Sequence, residues 1–178
     1  MKIENETIPK VTSATSFFTY QSPSLDKIVY WFLKKSVNLY GETFIKTLAK
    51  EKKNEGSFRA GVEYMKSFWK SKGIHEKSIN FADGSGLSPQ NYVSTKAEVQ
   101  ALLYAQKQPW FKDYFEGFST HDNGMKMKSG TMKNTKSYAG IYGNYTFSII
   151  INNYQGNNSS AELQKVLNSL KYLLLLVL

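Results

Sequence analysis

The periodicity of the apolar residues changes once along the chain, near residue 118, and that change admits few architectures. Upstream, SLDKIVYWFLKK places Leu25, Ile28, Val29, Phe32 and Leu33 at helical spacing. Ser22 or Ser24 is available as a cap, and Pro23 suits a first turn. The pattern breaks around Ser36–Asn38 and resumes in ETFIKTLAKE with Phe44, Ile45 and Leu48, before a turn at Asn54–Gly56. A third helix is expected from about Ser57 to Lys72, with Phe58, Val62, Met65, Phe68 and Trp69 inward and Gly73 as its stop. SINFADGSGLSPQN reads as a strand followed by a Gly- and Ser-rich loop. Thr95 and Glu98 fit a capping box ahead of Val99, Leu102, Leu103 and Ala105, and Pro109 is expected to open a short helix through Phe115.

Downstream the character is different. MKMKSGTM, KSYAGIYG and NYTFSIIINNYQ are short, β-rich and separated by turn residues, which predicts an antiparallel meander. Ser159 and Glu162 form a second capping box, and AELQKVLNSLKYLLLLVL reads as a closing helix. Helices, then strands, then a helix predict one α+β unit with no internal repeat. Residues 1–23, polar with Pro9 and Pro23, read as an extended lead-in to a unit spanning 24–178.

Composition removes several functions. The 178 residues suit one domain, and with 41% hydrophobic residues they can bury a core. There is no cysteine, so disulfides, thiolate metal sites and a cysteine nucleophile are excluded; two histidines make no His-rich metal centre, and neither metal nor cofactor is expected. The net charge of +9 makes an acidic polymer the first suspect as partner. However, the basic residues are scattered lysines with a single arginine, Arg59, whereas specific DNA readers rely on arginine forks. A nucleic-acid partner is therefore not expected. The N-terminus lacks the apolar region of an export signal, and the longest apolar run, Leu173 to Leu178, is far too short to cross a bilayer.

Three patterns could carry chemistry: Ser36-Val37-Asn38, Asp83-Gly84-Ser85-Gly86-Leu87-Ser88 and Lys128-Ser129-Gly130-Thr131. Taken singly, each has a bland reading as an interhelical turn, a tight loop and a strand with a glycine bulge. Their placement is more informative. Ser36 and Asn38 fall where two helices meet, and Lys128 to Gly130 fall on the first strand of the meander, where glycine lets a ligand backbone come close. A hydroxyl, an amide and a lysine at a strand edge suit acyl transfer: the lysine supplies charge for a carboxylate, and the strand supplies N–H donors for a developing oxyanion.

In these three motifs the chain resembles the C-terminal part of a penicillin-binding D-alanyl-D-alanine carboxypeptidase/endopeptidase, of the low-molecular-mass family with a large insertion in its catalytic domain. Those serine enzymes carry S-x-x-K, then S-x-N, then K-T-G, and this subfamily adds a DGSGLS loop. KKSVNLYGETFIK is similar to the second motif, FADGSGLSPQN to the loop, and MKMKSGTMKNTKSYAGIYG to the third motif with the strand after it; the likeness runs from about Ser22 to Leu170. It implies the C-terminal portion of a β-lactamase-like transpeptidase fold. It also implies that Ser36 relays a proton to the leaving D-alanine, that Asn38 holds the substrate's peptide amide, and that Lys128 places positive charge near the terminal carboxylate. Ser129 would hydrogen-bond that carboxylate, in place of the family's usual threonine, and Thr131 would supply an oxyanion N–H beside Gly130. Asp83, Gly84, Ser85 and Gly86 would shape the cleft. The implied partners are peptidoglycan peptides ending in D-Ala-D-Ala and β-lactams, and the implied location is periplasmic or otherwise outside the cytoplasmic membrane.

One departure stands against full activity. The only S-x-x-K tetrapeptide N-terminal to Ser36, where the family carries that motif, is Ser24-Leu25-Asp26-Lys27. Ser24 and Ser36 read as lying on one helix, about 18 Å apart at 1.5 Å per residue, whereas a nucleophile must lie within about 3 Å of its base. Ser24 to Lys27 are therefore read as a helix N-terminus. The chain is expected to lack the acylating serine and an N-terminal half, to be inactive alone, and to expose an unpaired sheet edge. The alternative is a non-catalytic module that holds peptidoglycan peptides.

Overall fold

A computed structural model of the chain describes residues 17–155 and 159–176. Most of the expected lead-in therefore lies outside the described residues, as do the last two residues and the Ser159 side chain on which the second capping box depends. The helical half comprises α1 (Leu25–Lys35), α2 (Asn38–Lys53), α3 (Phe58–Ser71), α4 (Thr95–Gln106) and α5 (Phe111–Glu116). Two short strands, β1 (Ile79–Asn80) and β2 (Tyr92–Val93), pair across the loop between α3 and α4. The sheet consists of β3 (Ser119–Thr120), β4 (Lys126–Met132), β5 (Thr135–Tyr142) and β6 (Tyr145–Asn152), and α6 (Ser159–Leu176) closes the chain. Its strand order is β3-β4-β5-β6, an antiparallel meander of the kind the β-rich segments predict.

The alternation of residues along the strands decides what each face of this sheet meets. Met127 lies opposite Gly140, and Gly140 opposite Phe147. Met127 and Phe147 pack with Met125 against Leu163 and Leu167 of α6, forming one core. The neighbouring row, Lys128 opposite Ala139 and Ala139 opposite Ser148, has the other facing. Ala139 packs against a second core of Leu33, Leu102 and Phe118, drawn from α1, α4 and the segment entering β3. Helices thus cover both faces, and α1 is pinned with its C-terminal end over the row that contains Lys128.

Several local expectations shift. Ser94, and not Thr95, caps α4, its hydroxyl accepting from the Ala97 N–H at 3.2 Å. Glu98 is thereby freed from capping, and because Leu102 lies four residues on along the same face, its carboxyl turns inward. Pro109 stands two residues before α5, whose N-cap is Trp110, and Pro23 precedes the Ser24 cap of α1. Leu25 and Leu103, expected inward, are exposed. Gly130 makes no bulge: β4 keeps its register through Gly130 opposite Ser137. A Cβ at Gly130 would lie 2.6 Å from Ser137 Oγ, so the neighbouring strand uses the space that the glycine leaves. Among the described residues β6 has a strand neighbour on one side only.

Candidate active site

Ser36 is the C-cap of α1 and adopts the left-handed conformation, φ 51° and ψ 49°. This backbone state ends α1 and lets α2 begin two residues later at Asn38, but it costs a non-glycine residue about 1–2 kcal/mol. The angle between the two helices is held by Phe32 against Phe44, edge to face with centroids 5.3 Å apart. Ser36 and Asn38 are both exposed at this corner.

Lys128 reaches the corner from the sheet. Its Nζ donates to Ser36 Oγ at 2.6 Å and to the Ser129 carbonyl at 2.7 Å. Burial pushes the Lys128 ammonium below the usual lysine range. Among the described residues no carboxylate forms an ion pair with it. A half-buried cation whose partners are a hydroxyl and a carbonyl remains electrostatically open to an incoming anion. Because the ammonium donates to Ser36 Oγ, the serine's own O–H is left to donate elsewhere.

The remaining strand residues form an open edge. β3 pairs with β4 only at Met127 and Lys126, so from Lys128 to Met132 the strand has a neighbour on the β5 side alone. Ser129, Gly130 and Thr131 are exposed along this edge. The register assigns the Ser129 side chain, opposite Tyr138, to the row adjacent to that of Lys128. Among the described residues no side-chain hydrogen bond joins Ser129 or Thr131 to Ser36; the hydrogen bond from the sheet to this serine comes from Lys128. Backbone groups on the unpaired side of β4 remain available as donors.

The loop 83–88 is built as a rigid wall. Both oxygens of Asp83 are used: Oδ1 accepts from the Gly86 N–H at 2.6 Å and Asn91 Nδ2 at 2.8 Å, and Oδ2 accepts from the Ser88 N–H at 2.5 Å. These donors outweigh the burial of Asp83 and hold its carboxyl below the usual range. Gly86 takes φ 79°, which glycine tolerates without strain. The wall is seated on α2 by Glu42, whose Oε1 accepts from the N–H groups of Gly84 at 3.1 Å and Ser85 at 3.0 Å. Gly41 and Gly84 meet backbone to backbone, and a Cβ on either would overlap the other's carbonyl.

Two acidic residues were missed by motif reading. Glu42 stands four residues after Asn38, one turn along the same face of α2, and this spacing was its only signal. Glu98 accepts from Ser148 Oγ at 2.5 Å, at the far end of the row Lys128–Ala139–Ser148. Burial raises its carboxyl above the usual range, and the Ser148 hydrogen bond partly opposes that.

Comparison with known proteins matches the chain to one family and to several relatives. A family model described as D-Ala-D-Ala carboxypeptidase 3 (S13) matches residues 2–172. The D-alanyl-D-alanine carboxypeptidase of Actinomadura sp. (strain R39) is 27% identical over a 162-residue alignment that covers 77% of this chain and 30% of that protein. Penicillin-binding protein 4 of Haemophilus influenzae, solved in complex with a β-lactam, superposes with a TM-score of 0.64 at 25% identity, covering 75% of this chain and 36% of that one. A second structure of the same protein gives a TM-score of 0.70 at 22% identity, covering 81% of this chain and 40% of that one, and supports the fold. The chain spans less than half the length of each of these relatives.

Proposed function

Because the chain belongs to the D-Ala-D-Ala carboxypeptidase 3 (S13) family, we propose that it carries the leaving-group and carboxylate half of a serine acyl-transfer site for peptidoglycan stem peptides ending in D-Ala-D-Ala. The observation that carries this reading is the 2.6 Å contact between Lys128 Nζ and Ser36 Oγ. In the proposed reaction a serine nucleophile outside these residues forms a C–O bond to the carbonyl of the penultimate D-alanine, its proton passing by way of a general base, likewise outside them, to Ser36 Oγ as that serine gives up its own. The C–N bond to the last D-alanine breaks as its nitrogen takes a proton from Ser36, and Lys128 steadies the serine oxygen and draws the substrate carboxylate. Asn38 hydrogen-bonds the peptide amide, Ser129 the carboxylate, and the Thr131 N–H, beside Gly130, forms half of the oxyanion hole, the other half being the nucleophile's own N–H.

The acylating serine is not among these residues. Ser24 caps one end of the 11-residue helix α1 and Ser36 caps the other, so Ser24 cannot share a proton with Ser36. The chain alone is therefore proposed to bind the peptide without turning it over, and its place of action to be outside the cytoplasmic membrane, where such peptides occur. A binding-only role is the second reading, favoured by a Ser36–Lys128 pair that forms within this chain by itself. Calorimetric titration with an N-acylated peptide ending in D-Ala-D-Ala tests the proposal. Saturable binding that is lost in Lys128→Ala supports it; flat traces for the unmodified chain overturn it.

A further inference from the structure

We infer that Glu42 is a positioning residue, whose carboxylate locks the Gly84–Ser85 turn onto the face of α2 that begins with Asn38. Asn38 and Glu42 are one helical turn apart, so they share that face. One oxygen of Glu42 receives two consecutive backbone N–H groups, at 3.1 Å and 3.0 Å, from residues 42 and 43 positions further along the chain. Consecutive N–H groups converging on one anion make a nest, normally filled by a bound anion; here the protein fills it with its own side chain.

Three features make this a clamp and not an incidental contact. The loop's other carboxylate, Asp83, spends both oxygens inside the loop, on Gly86, Ser88 and Asn91, and so stiffens it without attaching it to α2. Attachment falls to Glu42 and to the bare backbone contact of Gly41 with Gly84. Finally, Asn38 makes no side-chain hydrogen bond among the described residues, so no bond of its own fixes its amide, and the nearest built wall is the one seated one helical turn along at Gly41 and Glu42. Moving the wall by the width of one lost hydrogen bond changes the space in front of the Asn38 amide, and misplacements of that size weaken binding.

The consequence for peptide affinity rests on the acyl-transfer reading proposed above, whereas the clamp does not. The test uses the full chain labelled with 15N. In Glu42→Ala, the Gly84 and Ser85 amides are expected to exchange with solvent at least about tenfold faster, and the Asn38 side-chain amide resonance to move. Glu42→Gln keeps an acceptor oxygen at the same reach and is expected to restore most of the protection. Gly84→Ala attacks the same seat from the loop side, since its Cβ meets Gly41 and Glu42 backbone atoms, and is expected to push the loop off α2 and move the Asn38 resonance. Affinity for the D-Ala-D-Ala peptide should fall about tenfold in Glu42→Ala and Gly84→Ala but not in Glu42→Gln.

Unchanged amide exchange in Glu42→Ala overturns the clamp. Released amides with unchanged affinity overturn the positioning role. If the unmodified chain shows no saturable binding, the acyl-transfer reading fails, and the Asn38 resonance alone decides positioning: unmoved in both variants, it overturns it. Should Glu42→Ala fail to fold, Gly84→Ala and Glu42→Gln separate the same outcomes.

Discussion

The Lys128 ammonium and the Ser36 hydroxyl, 92 positions apart in the chain, lie 2.6 Å apart in the fold. The contact joins the left-handed corner between α1 and α2 to the first long strand of the meander, and the strained backbone on its Ser36 side leads to the first prediction.

Ser36 holds a positive φ without being glycine. Ser36→Gly and Ser36→Ala both remove the hydroxyl and leave Lys128 with one partner fewer, so both should abolish peptide binding. Only the glycine relieves the backbone. Ser36→Gly is expected to be about 1 kcal/mol more stable than Ser36→Ala in urea unfolding. Equal stabilities would show that the corner is unstrained.

Ser36 has no lysine three residues on, and Ser24, whose tetrapeptide ends in Lys27, caps the opposite end of α1 from Ser36. Incubation with benzylpenicillin should leave the intact mass of the chain unchanged. A stoichiometric adduct on either serine would reverse the exclusion of Ser24 to Lys27 as a nucleophilic motif.

Glu98 couples stability to pH. Its folded pKa is raised by burial, so between the ordinary carboxylate value and the raised one the folded state binds more protons than the unfolded state. Its contribution is favourable at low pH and is lost as pH rises through the folded pKa. Glu98→Gln keeps an acceptor for Ser148 and has no charge to bury. Its melting temperature, relative to the unmodified chain, should therefore improve from pH 4 towards pH 8, and parallel curves would contradict this assignment.

Gly41 sits inside α2, where alanine is ordinarily better by about 1 kcal/mol. Here the sign reverses, because the added methyl would overlap the Gly84 carbonyl and the neighbour is backbone, which cannot step aside. Gly41→Ala is expected to lower stability by about 1–3 kcal/mol in denaturant unfolding. A stabilised variant would mean that the loop is not seated on α2.

Leu167 is fully buried between α6 and the sheet, while its neighbour Val166 is exposed. Leu167→Ala should cost about 2–5 kcal/mol, and Val166→Ala no more than about 0.5 kcal/mol. This pair checks that α6 packs on the Met127–Phe147 face.

Periodicity and motif order, both local, were legible without coordinates. Neighbouring residues set whether a segment coils or extends, so the helices, the meander and the closing helix could be read from spacing alone. So could the order of Ser36–Asn38, Asp83–Ser88 and Lys128–Thr131, because it is simply their order in the chain. Distances between motifs could not be read, since they depend on which apolar faces find each other. Leu33 docking on Leu102 and Phe118 is what brings the end of α1 over the Lys128 row. The same long-range packing took Glu98 from an expected cap to a half-buried partner of Ser148, and gave Glu42 the Gly84 and Ser85 amides. A carboxylate's role is set by the donors that reach it, and here the decisive donors come from elements distant in the chain; local sequence therefore determined the parts of the site, and tertiary packing alone determined which of them touch.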